Sequence, residues 1–157
     1  MPVDTTKVEG RRKLDFASYD ELLADAERVT SGQFKTLGNW SAGQIFRHLA
    51  VTYNNSIDGF PMIFPWYFRL MCKVFKKKIL KMSMPAGFKL QPEAAKTMDP
   101  GPTSTAEGLA ELRASVERIK REPNRVKHPA FGVMTEDEWT KMNLKHASLH
   151  MSFIVLQ

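Results

Sequence analysis

Cysteine is almost missing from this 157-residue chain: Cys72 stands alone, so no intramolecular disulfide can form. Long apolar runs are missing as well. The longest, Gly59 to Leu70, is interrupted by Pro61, Pro65 and Arg69 and falls well short of the ~20 apolar residues that span a bilayer. No N-terminal stretch has the charged, apolar and small-residue order of a secretory signal. Together these absences predict a soluble, cytoplasmic protein without a transmembrane segment. Negative charge is absent from one region only: Gly59 to Leu90 holds Arg69, Lys73, Lys76, Lys77, Lys78, Lys81 and Lys89 and no Asp or Glu. That segment accounts for the net charge of +6 and leaves the rest of the chain almost neutral. A basic patch attracts phosphates, anionic lipids or acidic substrates, but no nucleic-acid reading motif accompanies it, so no nucleic acid is expected as a partner. A solvated basic face is the simpler reading of the same lysines.

The length suits a single domain over 1–157, and a chain of this size buries about 68–70% of its unfolded surface without a staple. Four segments open with a hydroxyl residue followed three positions later by Glu or Gln, the pair that satisfies free amides at a helix start. They are Ser18 with Glu21, Ser41 with Gln44, Ser104 with Glu107, and Thr135 with Glu138. Apolar periodicity extends these into helices over about Tyr19 to Val29, Ala42 to Asp58, a third through Leu109, Leu112, Val116 and Ile119, and Glu136 to Leu156. The expected fold is all-α, a four-helix bundle with a long crossover between helices two and three. Some 45 residues fill that crossover, too many for a plain up-and-down bundle. Trp66 to Leu80 predicts an amphipathic helix within it, and Pro85, Pro92, Pro100 and Pro102 an irregular return. No run has a convincing strand period, and Val126 to Val133 reads as a loop.

Histidine is scarce, at four residues, but its placement is informative. His146 and His150 lie one helical turn apart on the fourth helix, in one arc with Trp139, Met142, Leu149, Phe153 and Ile154. That arc is expected to face the core, where an imidazole needs a hydrogen-bond partner or a metal ion. His48 on helix two, on the side of Ser41 and Thr52, could face the same cleft. Three nitrogen donors from two helices match the sites that bundles build, suit zinc, nickel or ferrous iron, and leave a coordination position open. A water or thiol there would have its pKa lowered. A hydrogen-bonded core network without metal is the competing account of the same residues.

The segments NWSAGQIFRHLA (Asn39 to Ala50) and EWTKMNLKHASLHMSFI (Glu138 to Ile154) resemble the second-helix signature and the closing H-x-x-x-H helix of the DinB/YfiT-like superfamily. HPAFGVMT (His128 to Thr135) and SIDGFP (Ser56 to Pro61) resemble a DinB-related group of uncharacterised domains. The resemblance covers nearly the whole chain. It implies a DinB-like four-helix bundle, a divalent metal on His48, His146 and His150, and kinship with thiol-dependent transferases and isomerases that place a low-molecular-weight thiol on the metal. A metal-dependent transferase acting on a small molecule through an activated thiol or water is the leading expectation. The alternative is a non-enzymatic metal-containing binding module whose basic crossover docks on an anionic surface. A homodimer is compatible with either.

The remaining chemical side chains carry blander expectations. His128, beside Pro129 in a loop, reads as structural. Cys72 lacks a nearby histidine in sequence and reads as a packing residue, as do Trp40 and Trp139. Trp66, Tyr67 and Phe68 read as a cover for the bundle more readily than as pocket lining.

Overall fold

A computed structural model of the chain describes residues 1–90 and 92–157. It is mostly helical. A 3-10 turn over Thr5–Lys7 precedes α1 (Tyr19–Thr30), β1 (Phe34–Thr36), α2 (Ala42–Asp58), α3 (Trp66–Val74), α4 (Lys76–Ile79), α5 (Pro92–Met98), α6 (Thr105–Arg121), α7 (Glu136–Met151) and β2 (Ile154–Leu156). All four hydroxyl residues read as N-caps accept the expected amide, and at Ser41, Ser104 and Thr135 the partner side chain closes the capping box. At α1 the Glu21 carboxylate instead accepts from the N–H of Ala17, one residue before the cap.

The long helices α1, α2, α6 and α7 pack around one apolar core that includes Leu22, Val29, Phe46, Leu49, Leu112 and Met151. The tightest approach is between α2 and α6. Gly43 and Gly108 face each other there, and a Cβ on either would collide with backbone of the opposing segment. Two ion pairs brace the same seam, Arg47 with Glu111 at 2.7 Å and Arg118 with Asp58 at 2.6 Å. Elsewhere Arg12 grips Asp25 through two bonds of 2.7 and 2.8 Å and reaches the carbonyls of Met151 and Ile154, tying the N-terminal segment to α1 and to the C-terminus.

Two expectations are corrected here. The last helix stops at Met151 rather than near Leu156, and the residues beyond it form β2, which pairs antiparallel with β1 in the register Phe34 with Leu156 and Thr36 with Ile154. Three-residue strands are too short for a period-two signal, and their pairing joins segments over a hundred residues apart. The irregular return of the crossover also contains a short helix, α5, which buries Ala94 and Met98. As expected, the crossover carries a helix of aromatic residues, α3, and it roofs the outer face of α7. Cys72, Leu80, Phe131, Met134, Trp139 and Met142 form a second apolar cluster there, with Lys76 held to Glu138 at 2.9 Å.

Candidate metal centre

Helix α7 buries two adjacent arcs. Leu144, Ala147 and Met151 enter the main core, while Trp139, Met142, His146, Leu149 and His150 line a cavity of about 640 Å³ between α2, α7 and the crossover. Of the arc read from the sequence, Phe153 and Ile154 join the main core and Leu149 packs against it, whereas Trp139, Met142 and the two histidines face this second surface. With ~100° per residue the two arcs lie side by side, so apolar periodicity alone could not tell one from the other.

From α2, His48 enters the same cavity. Its Nε2 lies 3.2 Å from His146 Nε2, which lies 2.9 Å from His150 Nε2, and the three ligand atoms fall within 4.8 Å of one another. The opposite edge of the His48 ring is fixed by the backbone: Nδ1 is 3.2 Å from the carbonyl oxygen of Met98 at the end of α5. A carbonyl only accepts, so Nδ1 carries the proton and the neutral ring turns a bare Nε2 inward. Trp40 covers the cluster, its ring centroid 4.7 Å from that of His48 and 5.5 Å from that of His150.

All three rings are held neutral. Burial lowers the pKa of His48 and pushes that of His146 down to about 3, with the nearby His48 and His128 adding to the effect. Burial, then His146 and His48, lower His150 well below its usual value. Neutral rings do not satisfy these contacts well. With His48 Nε2 bare, a single proton on His146 Nε2 would have to serve lone pairs on both sides, or else two lone pairs face each other. A cation at the centre serves all three. Tetrahedral sites with bonds of ~2.0–2.1 Å hold their ligands roughly 3.3 Å apart, close to the two separations from His146 Nε2. The donor set thus fits a divalent ion.

The model of a family described as "Protein of unknown function (DUF1569)" matches residues 8–157. The chain belongs to that family. No curated protein and no solved structure matches it. The family's description names no activity, and the site carries the functional reading.

The structure brings together the three histidines singled out from the sequence and leaves His128 outside the cluster, although His128 lines the same cavity. Its Nδ1 accepts from the backbone N–H groups of Ala130 and Phe131 at 3.0 and 3.2 Å, the structural role anticipated for it. Burial lowers its pKa to about 4. Cys72 also lines the cavity, but burial raises its thiol, the reverse of nucleophile activation. Of the three crossover aromatics, Phe68 lines the cavity and Trp66 and Tyr67 are exposed. Trp40 packs against the main core and Trp139 within the second apolar cluster, as read from the sequence, and both also line the cavity. The partner that sequence reasoning missed is the Met98 carbonyl, because a backbone group leaves no mark in residue identity.

Proposed function

We propose that this chain is a DinB-like metalloprotein in which α1, α2, α6 and α7 form the four-helix bundle, α3 to α5 its crossover, and His48, His146 and His150 hold one divalent ion. Zinc, nickel and ferrous iron suit three imidazoles. The ion would supply a Lewis-acidic open position that activates a thiol or water, making the protein a metal-dependent transferase or related enzyme acting on a small molecule. The supporting observation is the convergence of three inward ring nitrogens, one preset by the Met98 carbonyl, at the wall of a cavity large enough for a small-molecule substrate. In that arrangement His48 and His146 brace α2 against α7, Trp40 shields the ring cluster, and Phe68 and Phe88 line the crossover side of the cavity.

Metal analysis of protein purified without a nickel column tests the first step, with about one ion per chain expected. In cobalt-substituted protein a cellular thiol should produce a thiolate-to-metal charge-transfer band that His150→Ala abolishes. Absence of both that band and metal-dependent turnover across thiols, esters and amides would refute the enzyme reading.

A second reading has its own support. Along α3 and into α4, Trp66 is 75%, Tyr67 63%, Leu70 55% and Phe75 52% exposed, in a segment whose charges are all positive. Apolar side chains interleaved with lysines complement an anionic bilayer surface. In the binding-module reading this face docks on such a surface and the histidine centre only braces the helices. Co-sedimentation with phosphatidylserine vesicles, lost on phosphatidylcholine vesicles and at high salt, is the expected result.

A further inference from the structure

The cavity wall contains no Lys, Arg, Asp or Glu among its described residues. Phe60, Phe64, Phe68, Met84 and Phe88 make much of it apolar. Its polar side chains are mostly engaged elsewhere. Asn39 exchanges two bonds with the backbone of Val3, Thr52 donates back to the His48 carbonyl, and Asn143 donates to the Tyr19 hydroxyl. The Trp139 indole N–H has no partner but is fully covered. Besides the metal centre, the Thr5 hydroxyl and the Cys72 thiol, the wall presents the ring of His128.

The His128 ring is clamped by its own loop, whose main chain pairs His128 with Gly132 through bonds of 2.8 and 2.9 Å. Because Nδ1 accepts two backbone N–H groups, it carries no proton. The proton of the neutral ring is therefore on Nε2, at the edge turned away from the loop. The rings of Phe60, Phe131 and Trp139 surround it, with centroids 5.8, 5.0 and 5.2 Å away. No described residue accepts from Nε2, so a preset N–H donor stands in an apolar wall. Trp139, whose ring packs against His128, precedes His146 by two turns of α7, so this donor and the histidine cluster occupy different stretches of one cavity wall.

We propose that the cavity binds an uncharged, largely apolar molecule whose carbonyl oxygen accepts the Nε2–H of His128. This deepens the reading of the metal centre and rests on it only for the chemistry at the other end of the cavity. A peptide-like thiol with ammonium and carboxylate groups would place several charges where no protein charge meets them, which disfavours it. A ketone, ester or amide with an apolar body has its one polar atom matched and its carbon surface covered.

The test uses metal-free protein and four probes: 4-butylacetophenone, butylbenzene, 4-butylbenzoate and glutathione. By calorimetry the ketone should bind about tenfold more tightly than the hydrocarbon, the difference one hydrogen bond makes, and both charged probes more weakly than the ketone. In His128→Asn the side-chain oxygen can still accept from Ala130 and Phe131, as Asn does in turns, but nothing replaces the Nε2–H. Ketone binding should fall by roughly five- to tenfold while hydrocarbon binding stays unchanged, which also reports an intact cavity. Unchanged ketone affinity in that variant, or a charged probe binding as tightly as the ketone, would overturn the inference. If the variant loses the hydrocarbon too, the wild-type ranking decides, and a ketone no tighter than the hydrocarbon overturns it. Zinc titration separates the two proposals. Ketone preference without zinc uptake refutes the metal reading alone, and zinc uptake without ketone preference refutes this one alone.

Discussion

Helix α2 has two sides with opposite surroundings. Toward α6 it is packed until backbone meets backbone at Gly43 and Gly108, and Phe46, Leu49 and Tyr53 are sealed in the core without exposure. Toward α5 and the crossover it carries His48 into a cavity of about 640 Å³. A close-packed interior has little void larger than a water molecule, so the second side is not a poorly finished version of the first. One side supplies cohesion, and the other uses that rigidity to hold three imidazoles and a donor around open space.

The widest difference should appear in stability. Phe46→Ala on the sealed side is expected to cost about 4 kcal/mol, whereas Phe68→Ala on the cavity roof should cost no more than about 1 kcal/mol because its neighbourhood is already open. Urea denaturation measures both, and similar losses would erase the contrast. Acid should act on the cavity side first. His128 has its pKa lowered from 6.5 to about 4, so the unfolded chain takes up its proton before the folded one does. Stability is then complete above pH 6.5 and falls as pH drops toward 4, by about 3 kcal/mol from this residue. His128→Asn should flatten that part of the curve, and an unaltered slope would move the effect to other groups.

A smaller effect separates metal affinity from folding. His146→Ala should weaken zinc binding at least 100-fold, about 2.7 kcal/mol, while the metal-free unfolding midpoint stays level or rises, since a buried imidazole with frustrated contacts is removed. Retained affinity would mean that the ligands lie elsewhere. The smallest effect concerns the outer surface of the crossover. Lys77→Gln and Lys78→Gln should each reduce partitioning onto phosphatidylserine vesicles about fivefold, from ~1 kcal/mol per lysine near the surface. An unchanged partition coefficient would leave these lysines as a solvated face.

Helix starts were the most legible part of the fold because a cap is a local device: Ser41 needs only Gln44, and Thr135 only Glu138, three residues away. The end of α7 was not legible, since Ile154 to Leu156 continue an apolar pattern and leave the helix to pair with Phe34 to Thr36. Within the centre, His146 and His150 were marked by their spacing. His48 rested on helical placement and resemblance, and its preset nitrogen on a carbonyl with no signature. His128 was legible as a loop residue and illegible as part of the cavity wall, because the aromatic rings that surround it come from α7 and from the turn after α2 as well as from its own loop.

By itself the amino-acid sequence determined where helices begin, which residues are apolar, and that two imidazoles share one face of α7. These follow from interactions within a few residues, whose geometry the helix repeat sets. Only the tertiary structure decided which apolar arc of α7 became core and which became cavity wall, and that Met98 and the crossover would enclose the histidines. A hydrophobic side chain is satisfied by either surface. The choice depends on where the other helices and the crossover come to rest against it.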